Sequence, residues 1–213
     1  YLAWTKLHSA GKSAEDALLA LYNGKDQRLR ARALWLLGKI PGRGSHYVNL
    51  AVGDANSHIR ETGIRLARQL DINIVSVVSK VVRDKSSAVR REALVALHGV
   101  AGDEADKLWA VMASQHDGQD RWYLETLGVG AADHWDTRFA AWLKLIDGKW
   151  RTSSGRDIVW RSRASAAASL LADILLDEDT PEEAHPRYLR AFDYHDGPAK
   201  DAALEKILLG QLR

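Results

Sequence analysis

Apolar side chains along this chain fall at i, i+4, i+5 and i+8 in a block that returns every 30 residues. The first block reads Leu29-Arg30-x-x-Ala33-Leu34-x-x-Leu37, the second Ile59-Arg60-x-x-Gly63-Ile64-x-x-Ala67 and the third Val89-Arg90-x-x-Ala93-Leu94-x-x-Leu97. Such spacing places the apolar positions on one face of a 3.6-residue helix. Its recurrence at a fixed period points to stacked repeats. A degenerate fourth copy keeps the phase with Tyr123, Leu124, Leu127 and Gly128, although Asp120 stands where the other copies carry arginine.

Between these blocks lie shorter apolar segments, Ser45-Val52, Ile72-Val82 and Asp103-Ala113, which predict a partner helix in each period. Short oxygen side chains precede the blocks in Asp54-Ala-Asn-Ser and Asp84-Lys-Ser-Ser, where they can cap orphan amides, and Ser13 is predicted to do the same for a helix ending near Tyr22. Gly24, Gly42, Gly102, Gly128 and Gly148 read as helix ends. Gly63 occupies the mid-face position of Ala33 and Ala93. By helix propensity alone, Gly63→Ala is expected to be near neutral or to stabilise by about 0.5–1 kcal/mol.

Composition agrees with helix: four prolines and two phenylalanines stand in 213 residues that are 46% hydrophobic, enough to bury a real core. With no cysteine, disulfide scaffolds, thiolate zinc sites, thiol nucleophiles and covalent c-type haem attachment fall away within these residues. No apolar run approaches the roughly 20 residues of a membrane helix, so no membrane insertion is expected. Net charge is +2. Residues 1–100 carry sixteen Lys/Arg against eight Asp/Glu, while 101–213 carry fourteen against twenty, so the halves stand at +8 and −6. That balance argues against a dedicated nucleic-acid binder and for partners of opposite sign at the two ends.

Asp54 and Asp84 each precede Arg60 and Arg90 by six residues, and this step resembles the signature of HEAT repeats. The resemblance implies an all-α, right-handed α-α superhelix (a HEAT/ARM-like solenoid) of about six to seven helical hairpins, with Asp54, Arg60, Asp84 and Arg90 forming a hydrogen-bonded ladder between neighbouring turns. In the first copy the six-residue step from Asp26 lands on Arg32, whereas the 30-residue phase selects Arg30. A row of phosphate-binding arginines is the alternative reading. On the ladder reading, Arg90→Ala lowers stability.

Longer strings narrow the resemblance: Arg28-Leu-Arg-Ala-Arg-Ala-Leu-Trp-Leu-Leu-Gly38, Asp120-Arg-Trp-Tyr-Leu-Glu125, Asp157-Ile-Val-Trp-Arg-Ser-Arg-Ala164 and Arg187-Tyr-Leu-Arg-Ala-Phe-Asp193. They resemble the helical region of the planctomycete-type membrane-bound dehydrogenase or haem-binding CxxCH proteins, in which HEAT repeats join a sugar-dehydrogenase-like β-propeller to a c-type cytochrome module. The resemblance implies a docking segment in an exported, periplasmic or secreted protein. The haem does not carry over, because the CxxCH motif is absent, and no cofactor is expected. The opening Tyr-Leu-Ala-Trp suggests one solenoid domain, 1–213, excised from a larger polypeptide.

The eight tryptophans are the oddest feature of the composition. Trp135, Phe139, Trp142 and Ile146 form a helical core stripe, as do Trp160, Ala164, Ala167, Leu171 and Ile174, and Trp35 and Trp109 sit in apolar runs. Trp150 differs, because it lies in the polar stretch 148–156. With Lys149, Arg151, Arg156, Arg161 and Arg163 it is the candidate binding patch, of a composition suited to anionic or stacked ligands. A loop anchored by Trp150 is the alternative. The binding reading expects that loop to be exposed and Trp150→Ala to leave stability nearly unchanged.

The histidines show no HExxH and no i, i+4 pair, although His185 and His195 could converge with Asp193 and Asp196. Asp177-Glu178-Asp179 with Glu182 and Glu183 reads as a solvated acidic turn without calcium-loop spacing. GxSxG, Walker A and dinucleotide fingerprints are absent. The function expected is a non-catalytic scaffold whose partners are proteins or neighbouring domains of the same polypeptide. A HEAT-like DNA glycosylase for alkylated bases is the alternative from another class, favoured by the +8 half and the tryptophans and opposed by the low overall charge. A haem- or bilin-handling HEAT protein is a third, with no residue evidence beyond the fold.

Overall fold

The computed structural model describes residues 2–210, and over them the chain is all-α, with no strand. Chain contacts divide it into two compact units, 1–97 and 98–213. The first contains α1 (Leu2–Ala10), a 3-10 turn (Gly11–Ala14), α2 (Glu15–Tyr22), α3 (Gln27–Leu37), α4 (Gly44–Val52), α5 (Ser57–Gln69), α6 (Ile74–Val81) and α7 (Ser87–Ala96). Helices α3, α5 and α7 begin 30 residues apart because their N-caps do: Asp26, Asn56 and Ser86. Asp26 Oδ1 accepts from the amides of Arg28 and Leu29, and Asn56 Oδ1 accepts from those of His58 and Ile59, satisfying donors that a helix start leaves unpaired. Ser13 does not cap, since its hydroxyl donates to the carbonyl of Ala10.

Each repeat helix buries the face its periodicity marks, except that Leu29, at the start of the first block, is exposed. Ala33, Leu34 and Leu37, then Ile59, Ile64 and Ala67, then Val89, Ala93, Leu94 and Leu97 are all essentially inaccessible. Helix α5 packs against α4 and α7, and α6 packs against α4, α5 and α7. The approach of α4 to α5 is closer than the sequence suggests. A methyl group on Gly63 would lie 2.8 Å from Ala51 Cβ and 3.2 Å from the backbone nitrogen of Val52. The expectation that Gly63→Ala is tolerated is therefore corrected: the clash is with Ala51 Cβ, which is fixed to the α4 backbone and cannot swing away as the end of a flexible side chain would.

The second unit contains α8 (Asp103–Ala113), α9 (Arg121–Ala131), α10 (Trp135–Leu145), α11 (Ser153–Arg161), α12 (Ala167–Leu175), α13 (His185–Ala191) between two 3-10 turns, and α14 (Pro198–Gly210). Here the period slips. Asp120, at the arginine position, is the N-cap of α9 and accepts from the amide of Tyr123, so this helix starts four residues late in the phase of the earlier copies. Its Gly128 lies inside the helix rather than at its end, and the Arg161 side chain rests where a Cβ would stand. Trp109 and Tyr123 are buried with their polar tips satisfied: the indole N–H donates to the carbonyl of Leu127 and the phenol to that of Met112. Phe139 and Trp142 are buried as their spacing predicts, while Trp135 and Ile146 lie half-exposed at the ends of the stripe. The stripe headed by Trp160 is broken, because 162–166 leave the helix and put Trp160 on α11 and the remaining residues after it.

Candidate functional site

In the first unit the conspicuous polar groups join one repeat to the next. Arg60 donates Nε to Asp84 Oδ2 at 2.6 Å and Nη2 to Asp84 Oδ1 at 2.7 Å, and its Nη1 reaches the carbonyls of Asp54 and Ala55. Arg30 repeats the arrangement one period earlier, donating Nη2 to Asp54 Oδ2 at 2.5 Å and Nε to the carbonyl of Tyr22. Each aspartate thus pairs with the arginine 24 residues before it, not with the one six residues after. Arg90 Nη1 donates to the backbone carbonyl of Asp84 at 2.6 Å, and its charge also helps hold the Asp84 carboxyl down. The 30-residue phase therefore identifies the first ladder member as Arg30. Asp84 and Asp54 also brace their own turns, through the amides of Ser86 and Asn56. Burial pushes the Asp84 carboxyl up, but the Arg60 fork and the Ser86 amide outweigh it and hold the group below the ordinary carboxylate range. With their guanidinium groups engaged and largely buried, Arg30 and Arg60 are not a phosphate-facing row.

The basic patch expected around Trp150 does not assemble. Trp150 is buried at 6% exposure, with the Arg151 guanidinium 4.5 Å from its ring. Its backbone carbonyl lies against the Cα of Gly155, where a methyl group would come within 2.1 Å of the oxygen. The turn is closed by Thr152, whose hydroxyl accepts from the Gly155 amide, and residues 153–156 already belong to α11. Arg156 is committed to Asp177 at 2.6 Å and Thr180 at 2.8 Å, and Arg161 to Glu125 at 3.1 Å, while Lys149 is exposed beside Asp147. Asp177 is thus an ion-pair partner rather than part of a solvated acidic run.

Arg163 of that set opens onto a cleft. The cleft, about 380 Å³, is lined by Trp160, Arg163, Arg187, Arg190, Ala191 and Tyr194. Arg163 Nη1 donates to the carbonyls of Arg161 and Ser162 at 3.0 and 2.9 Å, closing the C-terminal end of α11, where cations are favoured. Its guanidinium lies 4.0 Å from the Tyr194 ring centroid. Opposite, Arg187 stacks 4.4 Å over Trp160, whose indole N–H donates to the Arg187 carbonyl. Arg187 Nη2 also reaches Asp157 Oδ1 at 2.6 Å, and Asp157 Oδ2 lies 3.4 Å from His116 Nε2. Burial raises the Asp157 carboxyl, but His116 and Arg187 together hold it below its usual value. Burial and the neighbouring Arg161 charge make the Arg163 cation less favourable than usual. Burial, then Arg163, also depresses the pKa of His195.

The residues missed from the sequence are Arg187, Arg190 and Tyr194. The signal was present in the strings Asp157–Ala164 and Arg187–Asp193, which the fold brings together, but nothing in their spacing shows that they meet. His185 and His195 do not gather with Asp193 and Asp196: among the described residues no three His, Asp or Glu side chains take up a metal-binding arrangement. No protein-family model and no curated protein matches this sequence.

Proposed function

We propose that this chain is a non-catalytic scaffold, a right-handed solenoid of HEAT-type repeats used for protein–protein or interdomain docking beside redox modules. The observation that carries the reading is the ladder. Arg30–Asp54 and Arg60–Asp84 join successive repeats at identical spacing, so that the buried charge of the first unit serves stacking rather than a reacting group. Repeats held by nearest-neighbour contacts leave an extended surface free for partners. The polar chains of the second unit, Arg138–Asp106 and His116–Asp157–Arg187, are likewise internal supports.

The docking reading is tested with the β-propeller and c-type cytochrome modules that accompany such repeats in the resembled family, made separately and mixed with the intact chain. Native mass spectrometry is expected to show a one-to-one complex with at least one of them. No complex at about 100 µM of each component, a concentration that would reveal even a weak transient interface of about −5 to −6 kcal/mol, defeats it.

A further inference from the structure

We propose that the cleft between α11 and α13 is a binding site for a phosphate monoester carried on an apolar or aromatic group. This goes beyond the scaffold reading, since a small ligand can occupy the cleft whether or not the repeats carry a protein partner.

The argument begins with charge. Three guanidinium groups line one cleft, and only Arg187 has a carboxylate partner, Asp157. Arg163 bonds only to backbone carbonyls, through Nη1, and Glu125, the carboxylate it feels, is already held by Arg161. Arg190 is exposed and makes no ion pair among the described residues. Two positive charges are therefore left without a counter-charge, one of them on a partly buried group whose cation its surroundings disfavour. A dianion compensates both, and a phosphate monoester carries about −1.5 to −2 at neutral pH. A carboxylate or a phosphodiester supplies only one charge.

Geometry points the same way. Arg163 is held rigid by the end of α11 and by the Tyr194 ring, and Arg187 by Asp157 and Trp160. Neither needs to be ordered on binding, which lowers the cost of capture. The N–H groups of Arg163 not used on the carbonyls, Nε and Nη2, are the pair a guanidinium offers to phosphate oxygens as a fork. Beside them, the rings of Trp160 and Tyr194 and the Ala191 methyl give an apolar wall, so the group bearing the phosphate also finds a contact. A volume of about 380 Å³ falls within the ordinary range for small-molecule sites.

Isothermal titration of the intact chain at pH 7.5 and low salt, with phenyl phosphate as the probe, tests this. One saturable site is expected, with affinity at least about tenfold above that for methyl phenyl phosphate, the singly charged diester, and above that for inorganic phosphate, which lacks the ring. Arg190→Gln, at an exposed position, is expected to weaken binding about tenfold without shifting the melting temperature. Arg163→Gln is expected to weaken it further, and Arg190→Lys to restore part of the loss. Equal affinity for inorganic phosphate would replace the proposal with a free-anion site. Tighter binding of a single-stranded oligonucleotide would replace it with nucleic-acid recognition. Absence of saturation by about 10 mM phenyl phosphate, or full binding by both Arg→Gln variants, would overturn it.

Discussion

The two units stack helices by different means. In residues 2–97 the same rung is used twice: an arginine near the start of one repeat helix reaches the aspartate of the next turn, 24 residues on. In 98–210 no rung is repeated. Arg138 lies fully buried 3.4 Å from Asp106 and donates to the carbonyl of Val100, while Arg161 reaches back to Glu125 and Arg156 forward to Asp177. Aromatic volume fills the difference, in Trp109, Trp142, Tyr123 and Phe139. A regular interface can be copied from turn to turn with small side chains and one ion pair. Once the phase slips at Asp120, each contact has to be made individually, and large rings and long arginines span the unequal gaps. The same irregularity leaves arginines that are not consumed by rungs, and the cleft at Arg163 is built from them.

The largest effect is expected in the irregular unit. Trp150→Ala removes a buried indole from a turn already closed against Gly155, and should destabilise by about 3–5 kcal/mol. Denaturant unfolding measures it. A loss below about 1 kcal/mol would show that the turn is as dispensable as its polar sequence suggests, and would restore it as a candidate binding loop.

Next comes the rung itself. Arg60→Ala leaves Asp84 buried without its fork, and should cost about 3 kcal/mol. Arg90→Ala, which leaves the Arg60–Asp84 fork in place, should cost less than Arg60→Ala. Equal losses would mean that the rung is not the unit of stacking. The pair also sets a pH dependence. Because the folded Asp84 carboxyl is depressed below its unfolded value near 3.9, the unfolded chain takes up its proton first as pH falls. The stabilisation is therefore present above about pH 4 and is lost as pH drops through the folded pKa. Arg60→Ala should flatten that acid limb.

Gly63→Ala is expected to destabilise by about 1–3 kcal/mol through overpacking against α4. The gain from helix propensity, at most about 1 kcal/mol, does not offset it. A stabilised variant would show that α4 can retreat, and that the first unit is looser than its regularity implies.

The first unit was largely legible because its determinants are local. Helix face and N-cap lie within a window of about ten residues and the period repeats them every 30, which is why α4 falls on the predicted segment 45–52. The candidate site was legible only as composition. Arg163 was singled out with a loop around Trp150 whose indole the fold buries, while its companions Arg187, Arg190 and Tyr194 lie some 24–31 residues further along.

By itself, then, the sequence determined an all-helical chain, where most of its helices run and which faces the repeat helices bury, since these follow from periodicity. The tertiary structure decided three things that depend on distances between separate helices. It joined Arg60 to the aspartate 24 residues ahead rather than six behind, because the guanidinium extends toward the next turn. It gave Gly63 a steric reason to lack a side chain, because α4 lies within contact distance. It also gathered three arginines and two rings into one cleft, because α13 returns to the end of α11, a meeting that no local pattern encodes.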